Sequence, residues 1–179
     1  MEYLKEMEYL FETEHLKIRR FELEDVERLY EIHLDEEVKQ WFPNECYADV
    51  QETREAVEFY RDCVNGRHLP YVLAVELRET GELAGDTGVS EVEGNSREVE
   101  IGYVMCRKYR GNGYATELIK AMSAFIAETF ETDTIYGRVV HGNTASARVL
   151  EKSGYEFVGE EFGAEDDPYG NGMLVYKKG

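Results

Sequence analysis

Two hydrophobic rhythms exchange places along this chain. Residues 15–21 (H-L-K-I-R-R-F) alternate as a half-buried strand does. Residues 23–34 then repeat at three and four, setting Val26, Leu29, Tyr30 and His33 on one helical face, and residues 49–64 repeat likewise with Ala56, Val57, Tyr60 and Val64. Asn65-Gly66 ends that second helix, and D-E-E-V-K-Q-W-F-P, between the two helices, reads as a loop closing at Pro43. Runs at 71–77, 83–92 and 97–105, separated by turns at Glu79-Thr80-Gly81-Glu82 and Gly94-Asn95-Ser96, predict an antiparallel meander. A helix over 113–129 carries the stripe Ala115, Leu118, Ile119, Met122, Phe125 and Ile126. The β-branched run 134–140 that follows it requires a parallel crossover. After Gly142-Asn143 a short helix holds Ser146, Val149 and Leu150, and strands over 155–162 and 172–177 flank an acidic loop containing Glu165-Asp166-Asp167. At the front, Tyr3, Leu4, Met7, Leu10 and Phe11 have helical spacing, which suits either a short amphipathic helix or an arm against a partner chain. The order βααβββαβαββ, without repeat or long linker, predicts one mixed α/β sheet in a single domain spanning residues 1–179.

Charge narrows the partners. The chain has 38 acidic against 20 basic residues, a net −18, which argues against nucleic acid and favours cationic small molecules or basic peptides. Cys46, Cys63 and Cys106 lack paired spacing and read as free thiols of a reducing compartment. The first ten residues are too charged for a signal peptide, and no apolar run reaches membrane-spanning length; the expectation is a soluble, cytoplasmic protein, monomer or homodimer, with no membrane partner. His15, His33, His68 and His141 have no metal-ligand spacing, so no metal is expected.

One stretch breaks the acidic pattern. From Ile101 to Thr116 there is no acid and there are three bases, and the apolar run gives way to Arg107-Lys108-Tyr109-Arg110-Gly111-Asn112-Gly113 and then a helix. Two glycines allow a tight turn, and the first turn of a helix offers unpaired N–H groups and a positive dipole end, which suits a phosphate. A second acid-free window, 134–150, holds Arg138, His141 and Arg148. Both windows read as surfaces kept clear for an anion, although buried strands explain part of each. The loop lacks the lysine of a P-loop and the third glycine of a dinucleotide fingerprint.

What it does contain is R-x-x-G-x-A, Arg110 through Gly113 to Ala115. This resembles the acyl-CoA pyrophosphate loop of the GNAT N-acetyltransferase superfamily. The block 141–160 (H-G-N-T-A-S-A-R-V-L-E-K-S-G-Y-E-F-V-G-E) is similar to that family's late N-x-x-S and L-E-K-x-G-F segment. The front, T-E-H-L-K-I-R-R-F-E-L-E-D with D-E-E-V-K-Q-W-F, is similar to the RimJ/RimL branch, whose characterised members acetylate protein N-termini. The resemblance spans roughly 13–178. It implies the GNAT fold, a seven-stranded, mostly antiparallel sheet with a splayed parallel pair and about four helices, and acetyl-CoA as donor.

Carried residue by residue, the resemblance gives the amides of Arg110, Gly111, Asn112, Gly113, Tyr114 and Ala115 to the pyrophosphate, with Arg107, Lys108 and Arg110 in reach of the outer phosphate. Tyr103, Val104, Met105 and Cys106 would pair with the pantetheine, an amide near Val104 facing the developing oxyanion. Asn143 and Ser146 match N-x-x-S and would contact pantetheine and sulfur; a helix cap and a small first-turn residue are the plainer alternative. An amine arrives largely protonated at neutral pH, so a base is wanted, and Glu100 on the apolar strand is the candidate, with Glu98 the nearest competitor. An edge-strand charge is the alternative for both. Trp41 and Phe42 would line the acceptor groove, or anchor the core. The family's tyrosine acid, four residues before the late glycine, is replaced by Leu150, which leaves Ser146 to donate a hydrogen bond to the thiolate. The expected reaction is direct acetyl transfer to a primary amine, a protein N-terminus or cationic small molecule, in a ternary complex. A non-catalytic acyl-CoA-binding sensor and an acyltransferase with a longer acyl chain or a small-molecule acceptor stay open.

Overall fold

The computed structural model describes residues 9–92, 95–162 and 172–179. Eight strands form one sheet in the order β1-β2-β3-β4-β5-β6-β8-β7. They are β1 (Phe11–Glu12), β2 (Leu16–Arg19), β3 (Tyr71–Leu77), β4 (Leu83–Val92), β5 (Asn95–Met105), β6 (Thr134–Val140), β7 (Glu156–Glu161) and β8 (Met173–Lys178). Five α-helices cover it: α1 (Val26–His33), α2 (Glu36–Trp41), α3 (Val50–Asn65), α4 (Tyr114–Thr129) and α5 (Thr144–Lys152). All neighbouring strands run antiparallel except β5 and β6. This is the GNAT architecture that the resemblance implied, with one strand and one helix more among the described residues.

Each difference has a local cause. The additional strand is β1, where Phe11 and Glu12 pair with Ile18 and Lys17; Phe11 also stacks on Phe125 of α4 at 4.9 Å, so it follows strand rather than helical geometry. Tyr3, Leu4 and Met7 lie outside the described residues. The additional helix is α2, in the stretch read as a loop. Asp35 caps it by accepting hydrogen bonds from the amides of Glu37 (2.9 Å) and Val38 (3.4 Å), and only Val38 is buried, too little apolar pattern for a helical period to show. On α1 the buried face is Val26, Leu29, Ile32 and His33, with Ile32 where the sequence reading had Tyr30. Asn95 and Ser96 lie within β5 rather than in a turn.

The sheet divides two cores. One, with Ile18, Leu73, Ile101, Met105 and Ile135, packs against Leu118, Ile119, Met122 and Ile126 of α4 and Ala147 and Leu150 of α5. The other, with Ala74, Leu83 and Val104, packs against Val26, Leu29 and Ile32 of α1, Val38 of α2 and Val57 of α3. Burying an aliphatic or aromatic side chain of this size is worth about 1.5–3 kcal/mol, so both layers hold the sheet firmly. No helix among the described residues is long and apolar enough to cross a membrane.

One irregularity positions the site. β5 and β6 pair only from Glu98↔Thr134 to Ile101↔Gly137, and beyond that point each strand keeps its other neighbour but not the facing one. The two strands part after Ile101, as the splayed pair was expected to do. Polar backbone groups of β5 are thereby left along one side of the gap.

Candidate active site

Strand alternation decides which groups face the gap. The Cys106 amide donates to the Ala84 carbonyl at 2.7 Å, and the Val104 carbonyl lies against Gly85, where a Cβ would collide with it. Counting back from these, Val104 turns its backbone groups to β4, and Tyr103 and Met105 turn theirs to the gap. The amides available to a pantetheine or an oxyanion on this strand are therefore those of Tyr103 and Met105. The Cys106 amide is paired to β4 and its Sγ accepts from Arg28 Nη2 at 3.4 Å, so its N–H, unlike those of Tyr103 and Met105, is not turned to the gap for the expected strand pairing.

After β5 the chain makes a short 3₁₀ turn, Arg107–Tyr109, and enters α4 through Gly111 and Gly113, at φ 83° and 78°. Both need the left-handed region that glycine occupies without a Cβ clash, and a Cβ at either would point into open space, so the loop's outer face is bare backbone. Gly113 is the N-cap of α4 and has no side chain to satisfy the first-turn amides. Asn112 braces the turn by donating Nδ2–H to the Tyr109 carbonyl at 3.0 Å. The basic side chains are engaged elsewhere. Arg110 donates to the Met105 carbonyl (3.0 Å) and to Glu37 (2.6 Å), Arg107 meets Asp35 (3.0 Å), and Lys108 meets Glu82 (3.4 Å). Burial pushes the Asp35 carboxyl up, but the Glu37 and Val38 amides and the charges of Arg110 and Arg107 outweigh it and hold it below the usual range. The acid-free window of the sequence is thus met in space by acids from α2 and from the turn before β4.

A groove of about 270 Å³ runs from this loop along β5, lined by Tyr103, Val104, Met105, Arg110, Gly111, Gly113, Tyr114 and Ala115 and closed by Ala145 and Val149 of α5. A larger cavity, about 430 Å³, lies between the sheet face and α1–α3. Trp41, Phe42, Tyr103, Asn143 and Ser146 line both. At that junction Asn143, the N-cap of α5, accepts from the Ser146 amide (3.4 Å) and donates Nδ2–H to Ser146 Oγ (3.1 Å). Tyr103 Oη lies 3.2 Å from the same Oγ. Burial raises the Tyr103 phenol above its ordinary value, although the Ser146 bond and Arg110 pull the other way. Leu150, where the family carries its tyrosine, is buried against Gly137, out of the junction; the hydroxyl there comes from β5.

The larger cavity is walled by Glu100 and Arg138, whose side chains pair at 2.7 Å, by Gly88 and Gly102, and by His33, Glu45, Tyr47, Tyr60 and Asp86. Glu98 is one strand repeat from Glu100 and does not line it. His33 and Asp86 form a buried pair at 2.8 Å, and Tyr47 and Tyr60 join hydroxyls at 3.0 Å. Burial disfavours charge on His33, but Asp86 and Glu45 more than restore it, so the imidazole titrates above its ordinary value. Glu45 lines the cavity and is exposed; partial desolvation there, with Asp86 and Glu100 repelling a further negative charge, pushes its carboxyl up to about 7 despite His33. None of His33, Glu45 and Asp86 stood out in the sequence. His33 read as a core face residue, and the three come from separate elements.

Residues 15–156 match the family described as the acetyltransferase (GNAT) domain. The chain is 29% identical over 175 residues to the putative ribosomal N-acetyltransferase YdaF of Bacillus subtilis, covering 92% of this chain and 90% of that one. It is 27% identical over 151 residues to the uncharacterized N-acetyltransferase p20 of Bacillus licheniformis, covering 84% and 83%. A solved GNAT-family acetyltransferase from Bacillus anthracis superposes with a TM-score of 0.77 at 28% identity, covering 93% of this chain and 96% of that one. The uncapped glycine entry to α4, the parted parallel strands and the match across most of the length agree, and the chain belongs to the GNAT acetyltransferases.

Proposed function

We propose that the protein transfers the acetyl group of acetyl-CoA directly to a primary amine, with donor and acceptor bound together. The observation that carries this is the pair of cavities sharing Trp41, Phe42, Tyr103, Asn143 and Ser146. The groove fits the donor: unpaired amides at the start of α4 suit a diphosphate, and the Tyr103 and Met105 backbone suits an amide-bearing pantetheine chain. A thioester at its end lies at the junction, open to an amine from the larger cavity. As the C–N bond forms and the C–S bond breaks, Ser146 Oγ–H, tied to Tyr103 and Asn143, donates toward the thiolate. A thiol of pKa about 8.5 is a fair leaving group, so this modest donor suffices.

A peptide N-terminus is the favoured acceptor. Its support is the likeness to a putative ribosomal N-acetyltransferase and the RimJ/RimL-like front of the chain, and an acidic surface favours a basic partner. The absence of the family's tyrosine favours a second reading, an acyl-CoA-binding sensor without turnover. Acetyl-CoA consumption with Ser- and Ala-initiated peptides and a diamine separates the two. Ser146→Ala should lower kcat about 10–100-fold, below most of the range of full acid–base catalysis because Ser146 gives only a hydrogen bond to a good leaving group, while acetyl-CoA affinity holds. An unchanged kcat removes Ser146 from the chemistry.

A further inference from the structure

We infer that Glu45, in the turn between α2 and α3, is the group that takes the proton from the attacking amine. This rests on the acetyl-transfer reading above. Glu100, the strand carboxylate that the sequence put forward, is bound to Arg138 at 2.7 Å, and Arg138 also holds Glu161 at 2.9 Å. A carboxylate already held by an arginine is engaged and is not free to turn to an incoming amine. Glu45 lies on the wall of the same cavity and has no arginine or lysine partner among the described residues: the charged groups acting on it there are Asp86 and Glu100, which oppose its ionisation, and His33, which favours it.

The elements around Glu45 form a site rather than a crowded surface. α1 contributes His33, β4 contributes Asp86, β5 contributes Glu100, and β6 contributes Arg138; Tyr60 of α3 and Tyr47 bring phenols, and Trp41 and Phe42 close the side toward the thioester. His33 Nε2 and Asp86 hold each other at 2.8 Å with side chains only 2% and 10% exposed, and His33 Nδ1 is buried without a partner among the described residues, so neither group is free to turn to an amine. Glu45 is open to the cavity, and its raised carboxyl matches what a general base needs near neutral pH. An ammonium entering the cavity gives one proton to Glu45, which passes it to solvent. The neutral amine attacks the carbonyl; as C–S breaks, the second nitrogen proton passes to Glu45, Ser146 Oγ–H hydrogen-bonds the departing thiolate and keeps its proton, and the thiolate takes a proton from solvent as Glu45 releases one there, so one proton moves in net from nitrogen to sulfur.

The test is the pH dependence of kcat/KM for wild type, Glu45→Gln, Glu45→Asp, Glu100→Gln and His33→Gln, with acetyl-CoA affinity measured for each by calorimetry. A Ser-initiated peptide and a diamine serve as acceptors, because their amines titrate near 8 and near 10 and a limb common to both belongs to the enzyme. Wild type should show a shared limb near 7. Glu45→Gln should lose it together with at least about 100-fold in rate, acetyl-CoA binding intact. Glu45→Asp should keep the limb at reduced rate, and Glu100→Gln should keep it too. His33→Gln removes a positive charge that favours ionised Glu45, so the limb should move to higher pH. A wild-type limb retained by Glu45→Gln overturns the base assignment alone. Acetyl-CoA binding without turnover of any amine by wild type overturns the transfer reading, and the base assignment with it.

Discussion

Gly102 offers the sharpest separation of the two cavities. It lies in β5 on the bare sheet face of the larger cavity, and a Cβ built there meets no atom within 4 Å. Its φ lies outside the positive region, so a side chain is free of backbone strain. Gly102→Val therefore sets its Cβ in open space and carries two methyls toward a cavity of about 430 Å³. Glycine within a strand costs about 0.5–1 kcal/mol relative to alanine, and a β-branched residue suits a strand, so stability should rise by a similar amount. For a chain of this size that is about 1–4 °C in Tm. Misfit of a methylene or two in a binding pocket costs about 1–3 kcal/mol, so kcat/KM for the acceptor should fall about 10–200-fold. The groove proposed for the donor does not include Gly102, and acetyl-CoA affinity should stay within about twofold. Steady-state kinetics with varied acceptor, thermal unfolding and calorimetry read the three quantities. Unchanged acceptor kinetics would refute the assignment of the larger cavity, and lost acetyl-CoA affinity would refute its separation from the groove.

Tyr103→Phe removes the hydroxyl beside Ser146 and should lower kcat about tenfold with Tm shifted by only a few degrees, since a neutral hydrogen bond is worth about 1 kcal/mol; wild-type kcat would show that Ser146 needs no support from β5. Stability should also fall with pH across the neutral range. Glu45 and His33 both titrate above their ordinary values, so the folded state binds more protons than the unfolded chain; that contribution is complete below about 4.5 for Glu45 and about 6.5 for His33 and is lost as pH rises through the folded values. Urea midpoints from pH 5 to 8 should decline in wild type and decline less in Glu45→Gln, and parallel declines would contradict the raised carboxyl.

The sequence showed the donor side far better than the acceptor side. The donor loop is contiguous: Arg110, Gly113 and Ala115 sit within six residues, and the strand before and the helix after each have a clear period. Asn143 and Ser146 were legible for the same reason, being neighbours on one helix start. The cavity proposed for the acceptor is assembled from α1, α2, the turn carrying Glu45, α3, β4, β5 and β6, and no local pattern marks residues that meet only on folding. The acid-free windows misled in a related way, because Asp35, Glu37 and Glu82 reach the loop's basic side chains from elsewhere in the chain. Glu100 looked like an isolated carboxylate on an apolar strand; its partner Arg138 lies on β6, 38 residues away. Tyr103 is marked in the sequence for its place beside the pantetheine and not for its hydroxyl, whose contact with Ser146 forms only where β5 and β6 part.

The central claim is that bare amides at the glycine entry to α4 hold a diphosphate and so aim an acyl chain along β5. Calorimetric titration of the intact protein with CoA and with pantetheine, which has the same thiol arm and no diphosphate, tests it most directly. CoA should bind, and pantetheine should bind at least about 100-fold more weakly, since several charge-assisted hydrogen bonds of about 1.5–3 kcal/mol each are missing. Equal affinity for the two, or no heat with CoA, would contradict the account.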